Sequence, residues 1–284
     1  MKALILGANG SLGTALRIHL PTPNGGAWQV DSRGRDRCDL ENAAHIERAL
    51  DESEPDVVFN TAAYTNVDAA EDDADAAFRA NALAPQVLAL AVEKRGLKLV
   101  HYSTDFVFDG TLERPYDEFD VPHPQGVYAR SKVAGEQLVA RAARRVFVVR
   151  VGCLYGRAGR NFPSTILRRL KAGETVRAEK DRFGSPTWVM DVARVSSALA
   201  MTEHFGLYHA TSQGETTWAD YARFVCAELG LPGDRVQDAM LQGVLKAPRP
   251  TRAILDNRML RLRGLDGFPD WKDAARAFIR DEAG

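Results

Sequence analysis

The sequence predicts an α/β protein with a doubly wound parallel sheet and a smaller, irregular C-terminal lobe. Two observations carry this. Short, almost wholly apolar runs alternate with amphipathic segments through roughly the first 150 residues, the pattern of strands buried on both faces by helices. The first of these runs ends in a glycine-rich turn that opens a helix.

Lys2–Leu6 reads as the first strand, and Thr14–Leu20 carries Ala15, Leu16 and Leu20 near one helical face. Trp28–Asp31 is a short second strand, and Asn42–Leu50 a helix with Ala43, Ile46 and Leu50 at helical spacing. Asp56–Asn60 forms a third strand straight after Pro55, Asp75–Glu93 a long alanine-rich helix, and Leu97–Tyr102 a further buried strand. A helix over Tyr128–Ala143 leads into Val146–Val149. We therefore expect a dinucleotide-binding domain over residues 1–151. Residues 152–284 should form mainly a substrate-binding lobe, with some elements returning to the sheet. In that second part the rhythm breaks at Gly152–Phe162, Gly173–Pro186 and Lys246–Arg252, which carry Gly, Pro and Arg without a period. Helices are expected at Pro163–Lys171, Asp191–Met201 and Thr217–Leu229, the last beginning with the capping spacing Thr217-Trp-Ala-Asp220.

Composition excludes several classes. With 284 residues, 45% hydrophobic and 26% charged, the chain has an ordinary globular make-up. Its 37 basic against 38 acidic residues leave no broad positive field for nucleic acid. The apolar run after Met1 is too short for a signal segment, and no stretch approaches membrane-spanning length. Cys38, Cys153 and Cys226 are far apart and read as reduced thiols in a cytoplasm. The six histidines are scattered without ligand spacing, so no metal site is expected.

Gly7-Ala-Asn9-Gly10-Ser11-Leu12-Gly13 is a dinucleotide-binding loop by context, with spacing G-x-x-G-x-x-G. Gly7 serves the tight turn, Gly10 the close approach of the pyrophosphate and Gly13 the packing of helix on strand, with the helix N-terminus facing the phosphates. At the end of the second strand Asp31 suits a ribose diol, as NADH needs, whereas Arg33 and Arg35 suit the 2′-phosphate of NADPH; a merely solvated loop is the third reading. Asp39 and Leu40 suit the adenine, and Thr61, Ala62 and Ala63 are the small residues that let a cofactor lie against the backbone.

Tyr128 and Lys132 stand at i and i+4, on one face of a helix. An adjacent ammonium favours the phenolate, which makes Tyr128 a proton shuttle. Ser103-Thr104-Asp105 leaves the fourth strand at the carboxyl end of the sheet, where Thr104 can donate a hydrogen bond to a carbonyl. Thr104, Tyr128 and Lys132 together are a carbonyl-reduction set.

The glycine loop, Asn60-Thr-Ala-Ala-Tyr-Thr-Asn-Val-Asp68, His101-Tyr-Ser-Thr-Asp-Phe-Val-Phe-Asp-Gly110, Tyr128-Ala-Arg-Ser-Lys132, Phe183-Gly-Ser-Pro-Thr187 and Phe268-Pro-Asp-Trp271 resemble the extended short-chain dehydrogenase/reductases, built on the Rossmann fold. Within them, the chain resembles the dTDP-4-dehydrorhamnose reductase family over nearly its whole length. The resemblance implies NAD(P)H-dependent reduction of the 4-keto group of a nucleotide-linked 6-deoxy-4-hexulose, most simply dTDP-4-dehydrorhamnose to dTDP-L-rhamnose. Tyr128 would supply the proton, Lys132 hold the nicotinamide ribose and Thr104 orient the keto oxygen. Asn81 would support the site, Thr65 face the cofactor and the sugar pocket, and Val67, Asp105 and Phe106 line that pocket, with Arg249 toward the diphosphate. Cys153 stands where the family has a tryptophan that packs on the sugar, which leaves open a different nucleotide-linked 4-keto sugar. Dehydratases carry Asp-Glu after the threonine; here Asp105 is followed by Phe106, so dehydration lacks its second carboxylate. Epimerases remain open on Tyr and Lys alone, and a non-catalytic NADP-binding regulatory subunit is the rival class. A homodimer is left open. The tryptophans Trp188, Trp218 and Trp271 read as packing, and Asp68 with Glu71-Asp-Asp73 as a solvated acidic helix start.

Overall fold

The computed structural model describes residues 1–159, 161–240 and 245–282. Strands β1 (Lys2–Leu6), β2 (Gln29–Arg33), β3 (Val57–Asn60), β4 (Lys98–Thr104) and β5 (Val146–Val151) alternate with helices α1 (Ser11–His19), α2 (Ala43–Ser53), α3 (Val67–Ala70), α4 (Ala74–Phe78), α5 (Ala84–Lys94) and α6 (Gly126–Ala142). β1, β3, β4 and β5 are buried along almost their whole length, so their side chains are apolar toward both faces, as a sheet covered by helices on each side requires. The period of two sorts them. Ala3, Ile5, Phe59, Val100 and Phe147 pack on α1, while Leu4, Leu6, Val58, Leu99 and Val148 pack on α2, α5 and α6.

The rest of the chain adds β6 (Leu154–Tyr155), α7 (Phe162–Lys171), β7 (Val176–Glu179), β8 (Phe183–Gly184), β9 (Thr187–Trp188), α8 (Val189–Ala200), β10 (Gly206–His209), β11 (Thr216–Thr217), α9 (Trp218–Glu228), β12 (Val236–Ala239), α10 (Arg258–Leu262) and α11 (Trp271–Asp281). β10 returns to the sheet, giving six parallel strands in the order β10-β5-β4-β3-β1-β2. α8 packs its Val192, Val195 and Leu199 into the same core layer as α1. Three small ladders, β7 with β12, β8 with β11 and β6 with β9, build the lobe around a second core of Tyr155, Tyr221, Trp271 and Phe278. These ladders were not expected in the segments read as irregular; they are two to four residues long, too short to show a period.

The long helix expected over Asp75–Glu93 is interrupted by a π-helical turn at Arg79–Leu83. One extra residue in the turn leaves the alanine-rich pattern looking helical throughout, so composition could not reveal it. Among the described residues, no helix is long and apolar enough to cross a membrane.

Candidate active site

The strand order reverses between β1 and β3, and ligands of such sheets bind outside the carboxyl ends at that point. The glycine loop lies there. The Gly7 and Ala8 N–H groups donate to the Arg33 carbonyl at 3.0 and 3.1 Å, tying the turn to β2. Gly7 has φ +78°, and a Cβ on it would fall 2.5 Å from the Ala62 nitrogen; a Cβ on Gly13 would fall 2.6 Å from the Gly7 carbonyl oxygen. These two glycines are demanded by the protein's own packing. Gly10 is not: it has φ −77°, and a Cβ there would meet nothing nearer than 3.4 Å. It is the N-cap of α1 without any side-chain cap, so its bare backbone leaves room where a diphosphate can approach the helix N-terminus. The residues therefore fit a dinucleotide. The Ser11 hydroxyl donates to the Ala158 carbonyl, which draws the stretch after β6 over the start of α1.

At the ribose end, Arg33 is 4% exposed. It donates from Nε and NH2 to Asp31 Oδ2 at 3.0 and 2.7 Å and from NH1 to Glu52 at 2.9 Å. The solvated-loop reading fails for Arg33, because its guanidinium is folded back against two carboxylates under β2. Asp31 is occupied by the same pair. Arg35, 77% exposed and only loosely set against Asp39 (3.5 Å) and Glu41 (3.3 Å), is the guanidinium with donors to spare. Leu40 is buried in the core under the sheet, and Asp39 accepts from the Glu41 N–H at 3.1 Å. Thr61 donates to the Leu6 carbonyl at 2.8 Å, pinning β3 to the glycine loop, and Ala63 and Thr65 are exposed beyond it. Asn9 lies on the loop, with its side-chain nitrogen 2.4 Å from where a Cβ on Gly34 would stand, so the turn after β2 closes against it; Leu12 is buried in the α1 core layer.

Thr104, Tyr128 and Lys132 converge. β4 ends at Thr104, whose hydroxyl donates to Asp105 Oδ1 at 2.9 Å and accepts from the Phe106 N–H at 3.2 Å. The Tyr128 hydroxyl lies against that of Thr104, and Phe106 meets the Tyr128 ring edge-on at 6.0 Å. One turn along α6, Lys132 is buried and donates from Nζ to the Tyr102 carbonyl at 2.6 Å. Burial holds this lysine down to about 8, partly opposed by the Glu136 carboxylate. Burial pushes the Tyr128 phenol up to about 12, with the Asp105 carboxylate adding to it against the Thr104 hydrogen bond. The lowering expected from Lys132 is therefore not what the protein's own groups produce: the ammonium points at a main-chain carbonyl, and desolvation dominates. The phenol is kept protonated, which is the state a proton donor needs. Asp105, buried, is raised to about 6 by desolvation, against the Thr104 hydrogen bond and the Arg182 charge.

Asn81 explains the π turn. From within it, Oδ1 accepts from the Tyr64 N–H at 2.8 Å while Nδ2 donates to the Tyr64 carbonyl at 3.1 Å and to Ser131 Oγ at 3.0 Å. It thus clamps the segment after β3 to the residue preceding Lys132. α6 meets the turn through Gly135, where a Cβ would lie 2.1 Å from the Asn81 carbonyl oxygen.

Beside Asp105 a small pocket is lined by Phe106, Cys153, Arg182, Phe183 and Trp218. Cys153 sits at φ +49°, and burial with the Asp105 charge pushes its thiol up to about 12, so it is a neutral, compact wall. Arg182 and Trp218 were not singled out from the sequence as site residues. Arg182 immediately precedes the quoted Phe183–Thr187 stretch, and Trp218 follows the helix cap Thr217; their adjacency to those signals is what could have found them. Val67 opens α3 half-buried. Arg249 is held by Asp68, at 3.0 and 2.8 Å, and this pair brings the Asp68 carboxyl down to about 2. The acidic stretch is thus not simply solvated: Asp68 and Asp72 pair with Arg249 and Lys246. Among the described residues no group of side chains could hold a metal ion.

A Rossmann sheet with this loop and this Thr-Tyr-Lys geometry defines an extended short-chain dehydrogenase/reductase. The model for the RmlD substrate binding domain matches residues 1–283. The dTDP-4-dehydrorhamnose reductase of Burkholderia thailandensis is 37% identical, with 99% of each chain covered, and that of Mycobacterium tuberculosis is 38% identical, covering 96% of this chain and 90% of the relative. A Streptomyces antibioticus protein named probable dTDP-4,6-dihydroxy-2-methyloxan-3-one 4-ketoreductase is 37% identical over 99% of this chain and 95% of its own. Among solved structures, dTDP-4-dehydrorhamnose reductase from Bacillus anthracis in complex with NADP superposes with a TM-score of 0.93 at 33% identity, with 99% of each chain covered. The chain belongs to the dTDP-4-dehydrorhamnose reductase family.

Proposed function

We propose that the chain reduces the 4-keto group of a dTDP-linked 6-deoxy-4-hexulose with NADPH or NADH, converting dTDP-4-dehydrorhamnose to dTDP-L-rhamnose, in the reducing cytoplasm where its three cysteines stay free thiols. The observation that carries it is the Tyr128 hydroxyl set against Thr104 at the carboxyl end of β4, with Lys132 one turn away. A bound reduced nicotinamide supplies the hydride. Tyr128 then gives its proton to the alkoxide formed at C4, and Thr104 holds that oxygen in place. Lys132, one turn along the helix and anchored to the Tyr102 carbonyl, holds the nicotinamide ribose. Gly10 and the start of α1 receive the cofactor diphosphate, and Arg35 is available to a 2′-phosphate.

A second reading, another dTDP-linked 4-keto sugar, is favoured by the small Cys153 wall and by the ketoreductase relative from Streptomyces. The test is to follow oxidation of NADH and NADPH with dTDP-, UDP- and GDP-linked 4-keto-6-deoxy sugars. Turnover with a dTDP sugar, lost in Tyr128→Phe, is expected. An inactive wild type that still binds NADPH would instead support the regulatory-subunit class.

A further inference from the structure

We infer that Trp218 is the aromatic platform on which the substrate's hexose rests, and so a specificity-determining residue; this rests on the reductase reading above. The reacting carbonyl must reach Tyr128 and Thr104, so the sugar ring has to lie beside Asp105. Trp218 lines that same pocket. Its place is fixed by the lobe: β11 runs antiparallel to β8 with Thr217 opposite Phe183, and Thr217 caps α9 by accepting from the Asp220 N–H at 3.1 Å. The indole is braced edge-on by Phe162 at 5.4 Å and Tyr221 at 5.9 Å.

Trp218 packs against the lobe core, as read from the sequence, and three further features point to a ligand as well. Trp218 is only half-buried, and of its neighbours Phe183, in the pocket lining, is 43% exposed and Phe162, edge-on to the indole, 37%. Among the described residues no acceptor meets its indole N–H, which leaves a donor for a sugar hydroxyl. Cys153 in the same lining offers no ring, and Trp218 supplies the broadest aromatic surface there for the apolar face of a 6-deoxyhexose, beside the smaller rings of Phe106 and Phe183. The pocket has about 20 Å³ of free space, room for about one water molecule. A hexose therefore enters by displacing lining side chains, and the exposed Phe183 is the one with somewhere to go while the braced indole stays in place.

The test separates sugar from nucleotide. Binding of dTDP and of dTDP-glucose to wild type, Trp218→Phe and Trp218→Ala is measured by calorimetry, with the NADPH affinity as a check that each variant folds. Trp218→Ala should bind dTDP-glucose at least tenfold more weakly while dTDP binding changes less than twofold, and Trp218→Phe should recover most of the difference. Where turnover is measurable, KM should rise with kcat within threefold. Unchanged dTDP-glucose affinity in Trp218→Ala, or equal loss for dTDP alone, would overturn the assignment. Failure of wild type to oxidise NADPH with any 4-keto sugar would count against the reductase reading instead, since the binding comparison does not depend on turnover.

Discussion

Tyr128 has one hydroxyl proton to give, and burial keeps it there. Removing that hydroxyl in Tyr128→Phe leaves the ring, and its edge contact with Phe106, in place, so NADPH affinity should hold while kcat falls roughly 10²–10⁴-fold. Stopped-flow at saturating substrate distinguishes this from a binding defect. Asp105 presents the opposite situation, a group the fold holds at some cost. Its pKa rises from 3.8 to about 6 on folding, so the folded chain disfavours the carboxylate. Below the unfolded value both states are protonated and there is no penalty; as pH rises through about 6 the folded state loses up to about 3 kcal/mol relative to the unfolded. Asp105→Asn, which can still accept from Thr104, should therefore be more stable than wild type at pH 8 and no more stable near pH 4. Denaturant unfolding at the two pH values measures it, and a gain that persists unchanged at pH 4 would refute the charge explanation.

The loop and its helix make a sharper comparison at the level of elements, because three glycines that look alike in sequence are demanded by different things. Gly7→Ala forces a positive-φ side chain against Ala62, and Gly13→Ala drives one into the Gly7 carbonyl; each should cost about 2 kcal/mol or more. Gly10→Ala should leave thermal stability nearly unchanged yet weaken NADPH binding at least tenfold, read by nicotinamide fluorescence. The π turn supplies another case. Asn81→Ala strips three hydrogen bonds between the Tyr64 segment and Ser131 and should cost about 2–4 kcal/mol, with kcat falling as Lys132 loses its positioning. What sequence could read follows from the same physics. β1, β3, β4 and β5 are long apolar runs because both faces are buried, and their positions are close to those expected. The Thr104, Tyr128 and Lys132 set was legible because each stands in a short motif at a strand or helix end. Arg33 left its alternatives open because an arginine beside an aspartate reads the same whether it faces solvent or folds back on the carboxylate. Trp218 reads as packing, and it does pack on the lobe core, but a tryptophan's letter does not show that it also lines a pocket; β10 hid because Gly206–His209 is a four-residue strand beginning on a glycine at φ +139°.

Taken whole, the molecule completes its sheet from beyond the point where the sequence changes rhythm. Residues 1–151 hold five of the six parallel strands, yet the outer edge of β5 is paired by β10, and the sheet face above α1 is shared with α8. Val189, Val192, Val195 and Leu199 of α8 are at most 3% exposed, and their burial contributes roughly 6–12 kcal/mol. That is comparable to the entire net stability of a typical domain. The junction is polar as well as apolar. Lys98, at the start of β4, donates from Nζ to the carbonyls of Ala200 and Thr202 at 3.1 and 2.8 Å, closing the end of α8, and Ser197 donates to the Gly25 carbonyl at 2.8 Å. Cutting the chain after Val151 would strand Lys98 without acceptors and open one sheet face to water. The fragment 1–151 should therefore show no cooperative thermal transition by circular dichroism and no NADPH binding, although it carries every element of the dinucleotide loop. The intact chain should unfold in a single transition that NADPH shifts upward. A fragment that melts cooperatively and binds NADPH would mean that α8 and β10 dock onto a sheet already stable without them.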